Sequence, residues 1–287
     1  MDHSERARAR YALAATSEQT AALQRRAVLR SLLASGAVLS AGVSSFAASI
    51  PTACPAPPEE TSGPFPADGS DRHGHGPGMP PGEWERHDPV ANMLTSPGVV
   101  RFDIRPSFGA SSSVAPGVPL RLELMLHDRS QACRPLAGSA VYLWNCNRDG
   151  EYSSYGRGIE HENYLRGVQI TDREGRLGFQ TIFPACYPGR YPHLHLEVFA
   201  QNARWLNAST RVLTTQLTIP HEVCTRVYAG AEGYTRSAAH FKGLSPAQDN
   251  VFASSSSAEL TLQTLITNGS LRAGFTGRAN LGIQTRR

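Results

Sequence analysis

Short apolar runs separated by turn residues dominate the chain after residue 99, and this feature restricts the fold most. The runs cover residues 120–127, 140–147, 169–171, 177–183, 193–199 and 212–219. Runs of this length, with alternating apolar and polar residues, are typical of β-strands with one buried face. Turn signals lie at Asp149-Gly150, 172–175 and 187–189. The sequence therefore predicts antiparallel connections between these strands.

The C-terminal part predicts further strands. Residues 259–266 and 271–283 read as a pair joined by Asn268-Gly269, a strong hairpin signal. Residues 230–250 predict at most a short helix. With 26 glycines and 20 prolines in 287 residues, the composition suits a turn-rich, ordered chain. We predict an all-β fold: an antiparallel β-sandwich with long loops and little helix.

The N-terminus has the pattern of an export signal. Arg25-Arg26 precede a mildly apolar run, residues 31–50, that is rich in Ala, Ser, Gly and Leu. This pattern predicts a twin-arginine signal peptide at residues 1–48 and one folded domain at residues 49–287, exported to the periplasm or the extracellular space. After cleavage no stable membrane insertion is expected. The alternative is an uncleaved membrane anchor, although the serines and glycines make the run weakly hydrophobic.

The charge distribution argues against a nucleic-acid partner. The formal net charge is +4, and the first 48 residues contribute +3 of it through six arginines and three acidic residues. The rest of the chain is therefore nearly neutral. Binding to phosphates needs clustered basic side chains, and Lys242 is the only lysine in the sequence.

Five cysteines, at positions 54, 133, 146, 186 and 224, all follow the predicted signal. In an oxidising compartment they allow up to two disulfides and leave one thiol, with the pairing undetermined. No CxxC pair is present, so neither a zinc knuckle nor a thioredoxin site is indicated. Lipidation at Cys54 is a minor alternative, because Pro-Thr-Ala-Cys lacks the usual aliphatic residue.

A histidine pair is the first candidate for metal chemistry. His193 and His195 lie within one predicted strand, where residues two apart point the same way with α-carbons about 6.5–7 Å apart. Both rings can then reach one metal ion. The alternative is a pair of surface or hydrogen-bonded histidines, which the spacing alone does not exclude. His73 and His75 share the spacing, but their glycine-rich surroundings favour a loop with adventitious metal binding.

Two tyrosines are the second candidates. Tyr152 follows the Asp149-Gly150 turn, and Tyr187 lies six residues before His193. Both phenols can approach the histidine strand from loops, although a single tyrosine is usually a packing residue. Spacing does not exclude the competitors Tyr142, Tyr155, Tyr164 and Tyr191.

Together these motifs resemble the intradiol ring-cleavage dioxygenases, the family of catechol and protocatechuate dioxygenases. Residues 141–153 resemble the strand and turn that lead to the family's first tyrosine ligand. Residues 183–195 resemble the segment with its second tyrosine, an arginine and two histidines. Weaker resemblance is found at 60–66, a Thr-x-Gly-Pro segment, and at 213–217, a late strand with a glutamine.

The resemblance implies a non-haem Fe(3+) ion held by Tyr152, Tyr187, His193 and His195. Its implied reaction is cleavage of a small catechol-type diol by O2 between the hydroxylated carbons, giving a muconate-type diacid. Tyr187 is implied to leave the metal during turnover while Tyr152 stays. Arg190 is implied to stabilise charge on the activated ring, and Gln216 to have a weaker supporting role.

The donor chemistry agrees with ferric iron. Phenolates are hard anionic ligands that favour ferric over ferrous iron, whereas two histidines with one carboxylate suit ferrous oxygenases. Two phenolates and one hydroxide balance the three positive charges. An arriving diol dianion can then replace hydroxide and one tyrosinate without a change of net charge.

The sequence departs from the family in two places. The interval between Tyr187 and His193 is shorter than in typical members, as in an exported subgroup, and the helical dimerisation segment of catechol dioxygenases is missing. The diol and the homo-oligomeric state are therefore left open. Two other classes are also kept: an exported, non-catalytic β-sandwich that binds metal or aromatic compounds, and a zinc or copper protein using the histidine pair.

Overall fold

Two β-sheets make up most of the computed structural model, which describes residues 53–70, 91–201 and 206–285. The first sheet contains β1 (Pro119–Asp128), β2 (Arg134–Pro135), β5 (Arg176–Ile182), β8 (Ile266–Ser270) and β9 (Gly274–Ile283). Its order is β2-β1-β9-β8, with β5 also paired to β1. The second sheet contains β3 (Ser139–Trp144), β4 (Arg166–Ile170), β6 (His193–Gln201) and β7 (Arg211–Thr218), in the order β4-β3-β6-β7.

The predicted all-β sandwich is confirmed. Every pair in the second sheet is antiparallel, and in the first sheet only the long pair β1–β9 is parallel among the described strands. Two of the predicted turns do not form hairpins, however. The turns at 172–175 and 187–189 join β4 to β5 and β5 to β6, and each carries the chain from one sheet to the other.

The main core lies between the sheets, and strand alternation explains its composition. On β1 the side chains of Leu120, Leu122 and Leu124 are buried in it, and on β6 those of Leu194 and Leu196. A second apolar cluster covers the other face of the second sheet, where Tyr142 and Trp144 of β3 are buried. The second sheet is therefore covered on both faces.

Three short α-helices follow the second sheet: α1 (His221–Gly230), α2 (Thr235–Phe241) and α3 (Ser257–Gln263). Helix α2 confirms the short helix predicted within 230–250, whereas α1 was not predicted. None of the helices in the described ranges is long and apolar enough to span a membrane.

The strand predicted at 259–266 is wrong, because α3 occupies most of it. Ser256 and Glu259 form a reciprocal capping box that satisfies free N–H groups at the first turn of this helix. The hairpin exists, but it joins β8 to β9 through residues 271–273. Asn268 and Gly269 lie inside β8, paired with Thr276 and Phe275.

Residues 53–70 run across the outer face of the second sheet. The amide of Glu60 donates to the carbonyl of Thr214 at 2.8 Å, and the hydroxyl of Tyr142 donates to the carbonyl of Pro66 at 2.9 Å. This N-terminal segment therefore covers the face that carries the second apolar cluster. The predicted signal at 1–48, its boundary and the His73/His75 pair lie outside the described residues.

A disulfide joins Cys54 in the N-terminal segment to Cys133, with the α-carbons 5.7 Å apart. Cys146, Cys186 and Cys224 are free and buried. The sequence allowed two disulfides; among the described cysteines one is formed.

We expect this disulfide to stabilise the domain, because it closes a loop between residues 79 positions apart. By the chain-entropy relation, a C54S/C133S variant should lose up to about 4.5 kcal/mol of unfolding free energy. Chemical unfolding with and without dithiothreitol measures this effect. The reductant should destabilise the wild-type protein and leave the double variant unchanged; equal stability of the two proteins would contradict the expectation.

Candidate metal centre

Strand β6 places the two predicted histidines side by side on the outer face of the second sheet. Their neighbours Leu194 and Leu196 face the main core, so alternation turns His193 and His195 the opposite way, as predicted. The ring centroids are 4.8 Å apart, and both side chains are buried. One rigid strand therefore presents two imidazoles to the same point.

Tyr152 reaches this point from the connection between β3 and β4. The side-chain oxygen of Asn147 accepts hydrogen bonds from the amides of Asp149 and Glu151, at 2.9 and 3.0 Å, and fixes the turn. Gly150 has φ +91°, and a β-carbon there would lie 3.1 Å from Cβ of Tyr187. Glycine thus permits both the left-handed turn and the close approach of the two tyrosine loops.

The four predicted donors converge. The phenol oxygen of Tyr152 lies 3.3 Å from that of Tyr187, and 3.4 and 3.1 Å from Nε2 of His193 and His195. Nε2 of His193 lies 3.1 Å from the Tyr187 oxygen and 3.1 Å from Nε2 of His195. Donor atoms 3.1–3.4 Å apart are close enough to bind one metal ion at about 2 Å, the length of a metal–ligand bond.

The protonation states suit metal binding. Nδ1 of His193 lies 2.6 Å from the carbonyl of Tyr191, a contact in which the ring N–H donates and leaves the Nε2 lone pair free. Burial, with a contribution from the Arg190 charge, lowers the pKa of His193 and His195, so both imidazoles are neutral at pH 7.

Burial raises the pKa of the Tyr152 and Tyr187 phenols. A metal ion must therefore displace their protons, and its positive charge would stabilise the phenolates.

His195 is held by stacking. The Trp144 indole lies parallel to its imidazole, with centroids 4.8 Å apart and planes 6° apart. Nδ1 of His195 is buried and has no hydrogen-bond partner among the described residues. Gly63 also packs closely against this ring, because a β-carbon there would lie 3.3 Å from Cε1 of His195.

The donor set fits ferric iron. In the described parts of the chain no group of three or more His, Cys, Asp or Glu side chains is placed to hold a metal ion, so the other donors next to the histidine pair are phenols. Phenol oxygens are hard donors once deprotonated, and two phenolates suit a trivalent cation. Structural zinc sites, in contrast, are built from cysteine, histidine and carboxylate ligands.

The competing tyrosines have other contacts. The hydroxyl of Tyr155 accepts a hydrogen bond from the amide of Ala67 at 2.8 Å, and that of Tyr142 binds Pro66. Tyr164 lies 3.5 Å from the side chain of Asn147, and Tyr191 lies 3.5 Å from Nδ1 of His221.

Arg190 and Gln216 are adjacent, as their predicted roles require. Nη2 of Arg190 donates to Oε1 of Gln216, whose Nε2 donates to the carbonyl of Thr61 at 2.9 Å. Gln216 is also the register partner of His195 on the neighbouring strand. The glutamine therefore connects the N-terminal segment, the histidine strand and the arginine.

Sequence reasoning missed two residues of this site. Asp249, far along the chain, forms a buried ion pair with Arg190, with Oδ2 2.9 Å from Nε. Arg166 is buried on β4 and uses all five N–H donors for neutral oxygens of the protein: Phe65, Pro66, Tyr142 and Ser153. No local motif marks either residue, because their partners are distant in sequence.

Comparisons with known proteins agree with this geometry. Residues 110–226 match a family model described as Dioxygenase, a range that includes all six predicted site residues. An intradiol ring-cleavage dioxygenase from Tetranychus urticae superposes with a TM-score of 0.56 at 22% identity, over 82% of this chain and 97% of that one. The fold is that of an intradiol dioxygenase.

Curated relatives match over shorter segments. A hydroxyquinol 1,2-dioxygenase from Rhizobium sp. is 33% identical over 85 residues, which is 23% of this chain and 29% of the relative. A catechol 1,2-dioxygenase from Candida albicans is 40% identical over 58 residues, 20% of this chain and 19% of the relative. The chain thus spans less than a third of either relative. These matches support the predicted resemblance to enzymes with the intradiol fold.

Gly63 offers a test of how tightly His195 is held. Gly63→Ala places a methyl group against the ring and also requires φ +73° of a residue with a β-carbon. The backbone strain costs about 1–2 kcal/mol. Gly109 also has φ +73° but nothing within 4 Å of its β-carbon position, so Gly109→Ala is a matched control.

We expect similar losses of unfolding free energy from the strain in both variants, and weaker metal binding in Gly63→Ala alone. Thermal melts and metal titrations measure the two effects. Equal metal affinity in the two variants would contradict the close packing of Gly63 against His195.

Proposed function

We propose that the chain is a non-haem ferric dioxygenase that cleaves catechol-type diols between the two hydroxylated carbons with O2, giving a muconate-type diacid. The observation that carries the proposal is the convergence of two phenol oxygens and two imidazole nitrogens, with five of their pairs 3.1–3.4 Å apart. The intradiol fold and the family-model match support the same reaction class.

In this proposal Tyr152, Tyr187, His193 and His195 hold the iron. When bound, ferric iron would accept electron density from a chelated diolate and so make the ring reactive towards O2 without an external reductant. The protein keeps both imidazoles neutral through burial and fixes the tautomer of His193 through the Tyr191 carbonyl. These residues therefore form a preorganised frame around the reacting ring.

The two tyrosines differ in a way that supports separate roles. Tyr152 is buried at 4% exposure, and Phe65 packs against its ring with centroids 5.3 Å apart. Tyr187 is only partly buried and lies in the turn before β6. We assign Tyr187 as the ligand that would be released when a diol binds. Its phenolate oxygen would accept one proton of the diol, which the raised pKa of this phenol favours.

Arg190 provides fixed positive charge beside the site. Asp249 and Gln216 each accept one hydrogen bond from its guanidinium, which leaves other N–H donors for a ligand. A preorganised cation stabilises negative charge that develops on the activated ring, and it does so without solvent reorganisation.

Export by the twin-arginine route belongs to the proposal as well. The Cys54–Cys133 disulfide supports it, because disulfides persist in oxidising compartments such as the periplasm or the extracellular space. The twin-arginine route carries folded proteins, so iron can be inserted before export.

Colour tests the metal assignment. Tyrosinate bound to ferric iron should give the purified protein a broad visible charge-transfer band that shifts when catechol is added. Tyr152→Phe removes one phenolate and should abolish most of the band. Tyr164→Phe is the matched control, because the Tyr164 hydroxyl lies outside the donor cluster and makes one long contact, 3.5 Å, with the side chain of Asn147. A colourless wild-type protein that contains zinc would refute the iron assignment.

Oxygen uptake tests the reaction. The iron-loaded protein should consume one O2 for each diol cleaved and form a muconate-type diacid. An oxygen electrode measures the O2 consumed, and mass spectrometry identifies the product. Arg190→Met should lower kcat by about 100-fold or more, the usual effect of removing a preorganised charge-stabilising group. A coloured protein that is inert towards a broad panel of catechols would instead indicate a non-catalytic binding module.

A further inference from the structure

Asp249 is a buried carboxylate whose four hydrogen bonds all end near the proposed site. Its side chain is fully buried, in a loop before α3. Oδ1 accepts from the amides of Val251 and Phe252, at 2.7 and 3.0 Å. Oδ2 accepts from the amide of Tyr191 at 2.6 Å and from Nε of Arg190 at 2.9 Å. One oxygen therefore holds the C-terminal loop, and the other holds the turn that precedes β6.

The contacts of Asp249 extend to both kinds of site residue. The Arg190 guanidinium that it binds also donates to Gln216. Tyr191, whose amide N–H it binds, accepts a hydrogen bond at its own carbonyl, in the next peptide group, from Nδ1 of His193. A single carboxylate therefore fixes the side chain of the arginine and, through the backbone of Tyr191, the orientation of a histidine.

Only five residues, 188–192, separate Tyr187 from His193. Within this turn the amide of Arg190 donates to the carbonyl of Tyr187 at 3.1 Å, whereas the Arg190 side chain and the Tyr191 amide are held by Asp249, 59 residues from Arg190. The ion pair is almost wholly desolvated, since the two side chains are 13% and 0% exposed. In such surroundings the arginine has little freedom to turn towards solvent.

We propose that Asp249 is a positioning residue for the dioxygenase reaction: it aims the Arg190 guanidinium at the ring and holds the backbone of Tyr191, whose carbonyl orients His193. The inference rests on the proposed function for its effect on turnover, but the positioning of Arg190 is a separate property of the fold. The hydrogen bonds of the Asp249 carboxylate are to Arg190, Tyr191, Val251 and Phe252 and not to the four donors, so we expect its effect on catalysis to pass through Arg190 and Tyr191.

Asp249→Asn is the main test, because asparagine keeps the shape but loses the charge and one acceptor oxygen. Asp128→Asn is the matched control: Asp128 is also buried and accepts hydrogen bonds from Ser130 and Thr285, at the far end of β1. Both variants should melt at lower temperature. Only Asp249→Asn should lower kcat per bound iron, by about 10–100-fold, with a small change in KM.

A double-mutant cycle shows whether the effect passes through Arg190. If it does, Asp249→Asn should lower kcat by a much smaller factor in an Arg190→Met background than in the wild type, and the effect that is left measures the route through Tyr191 and His193. Asp249→Glu, which keeps the charge, should retain more activity than Asp249→Asn, and it replaces the latter in the cycle if the asparagine variant does not fold. The proposal would be overturned if Asp249→Asn left kcat unchanged, or if it lowered kcat by the same factor in the Arg190→Met background as in the wild type.

A second measurement does not depend on turnover. In the diamagnetic protein loaded with gallium(III), the side-chain Nε–H signal of Arg190 should be protected from solvent exchange, and only the Asp249 variants should lose this protection. Protection without turnover in the iron-loaded wild type would refute the proposed function and leave the positioning role intact. Turnover with an unprotected Arg190 in the wild type would refute the positioning role alone.

Discussion

The alternation of side chains along β6 is the constraint on which the site depends. Leu194 and Leu196 anchor the strand in the main core, and this anchoring fixes His193 and His195 on the opposite face. A slip of one residue in register would exchange the two sets and bury imidazoles among leucines. The packing energy of the sandwich therefore also specifies the geometry of the donors, since neighbouring strands β3 and β7 hold β6 on both sides.

A face that carries buried polar donors needs a cover, and the fold provides one from the N-terminal segment. Residues 53–70 bring Gly63 against His195 and Phe65 against Tyr152. Arg166 binds this cover to the sheet, because it donates both to the carbonyls of Phe65 and Pro66 and to Ser153, the neighbour of Tyr152. The cover of the site and the segment that carries Tyr152, a proposed metal donor, are thus joined by one hydrogen-bond network.

The pairing of His193 and His195 could be predicted from the sequence because its geometry is local. Two side chains that are two residues apart on a strand point the same way. The tyrosines were ambiguous by spacing, since several others lie nearby, and the family resemblance distinguished them. The strand predicted at 259–266 failed for a local reason, because the capping box of Ser256 and Glu259 outweighed the hairpin signal of Asn268-Gly269. Asp249 and Arg166 had no local signature, because their partners lie 59 and 100 residues away.

Arg190 and Arg166 have different hydrogen-bond partners, and this difference affects how the site accepts an anionic substrate. Arg190 is paired with the Asp249 carboxylate, which offsets part of its charge, but the arginine still lowers the pKa of His193. Arg166 donates only to neutral oxygens, and its charge contributes to the lowered pKa of His195. A buried cation with saturated hydrogen bonds and no carboxylate partner among the described residues favours nearby anions. The charge of Arg190 opposes the rise in the pKa of Tyr152 and Tyr187 that burial causes, and its pairing leaves N–H donors for the ring.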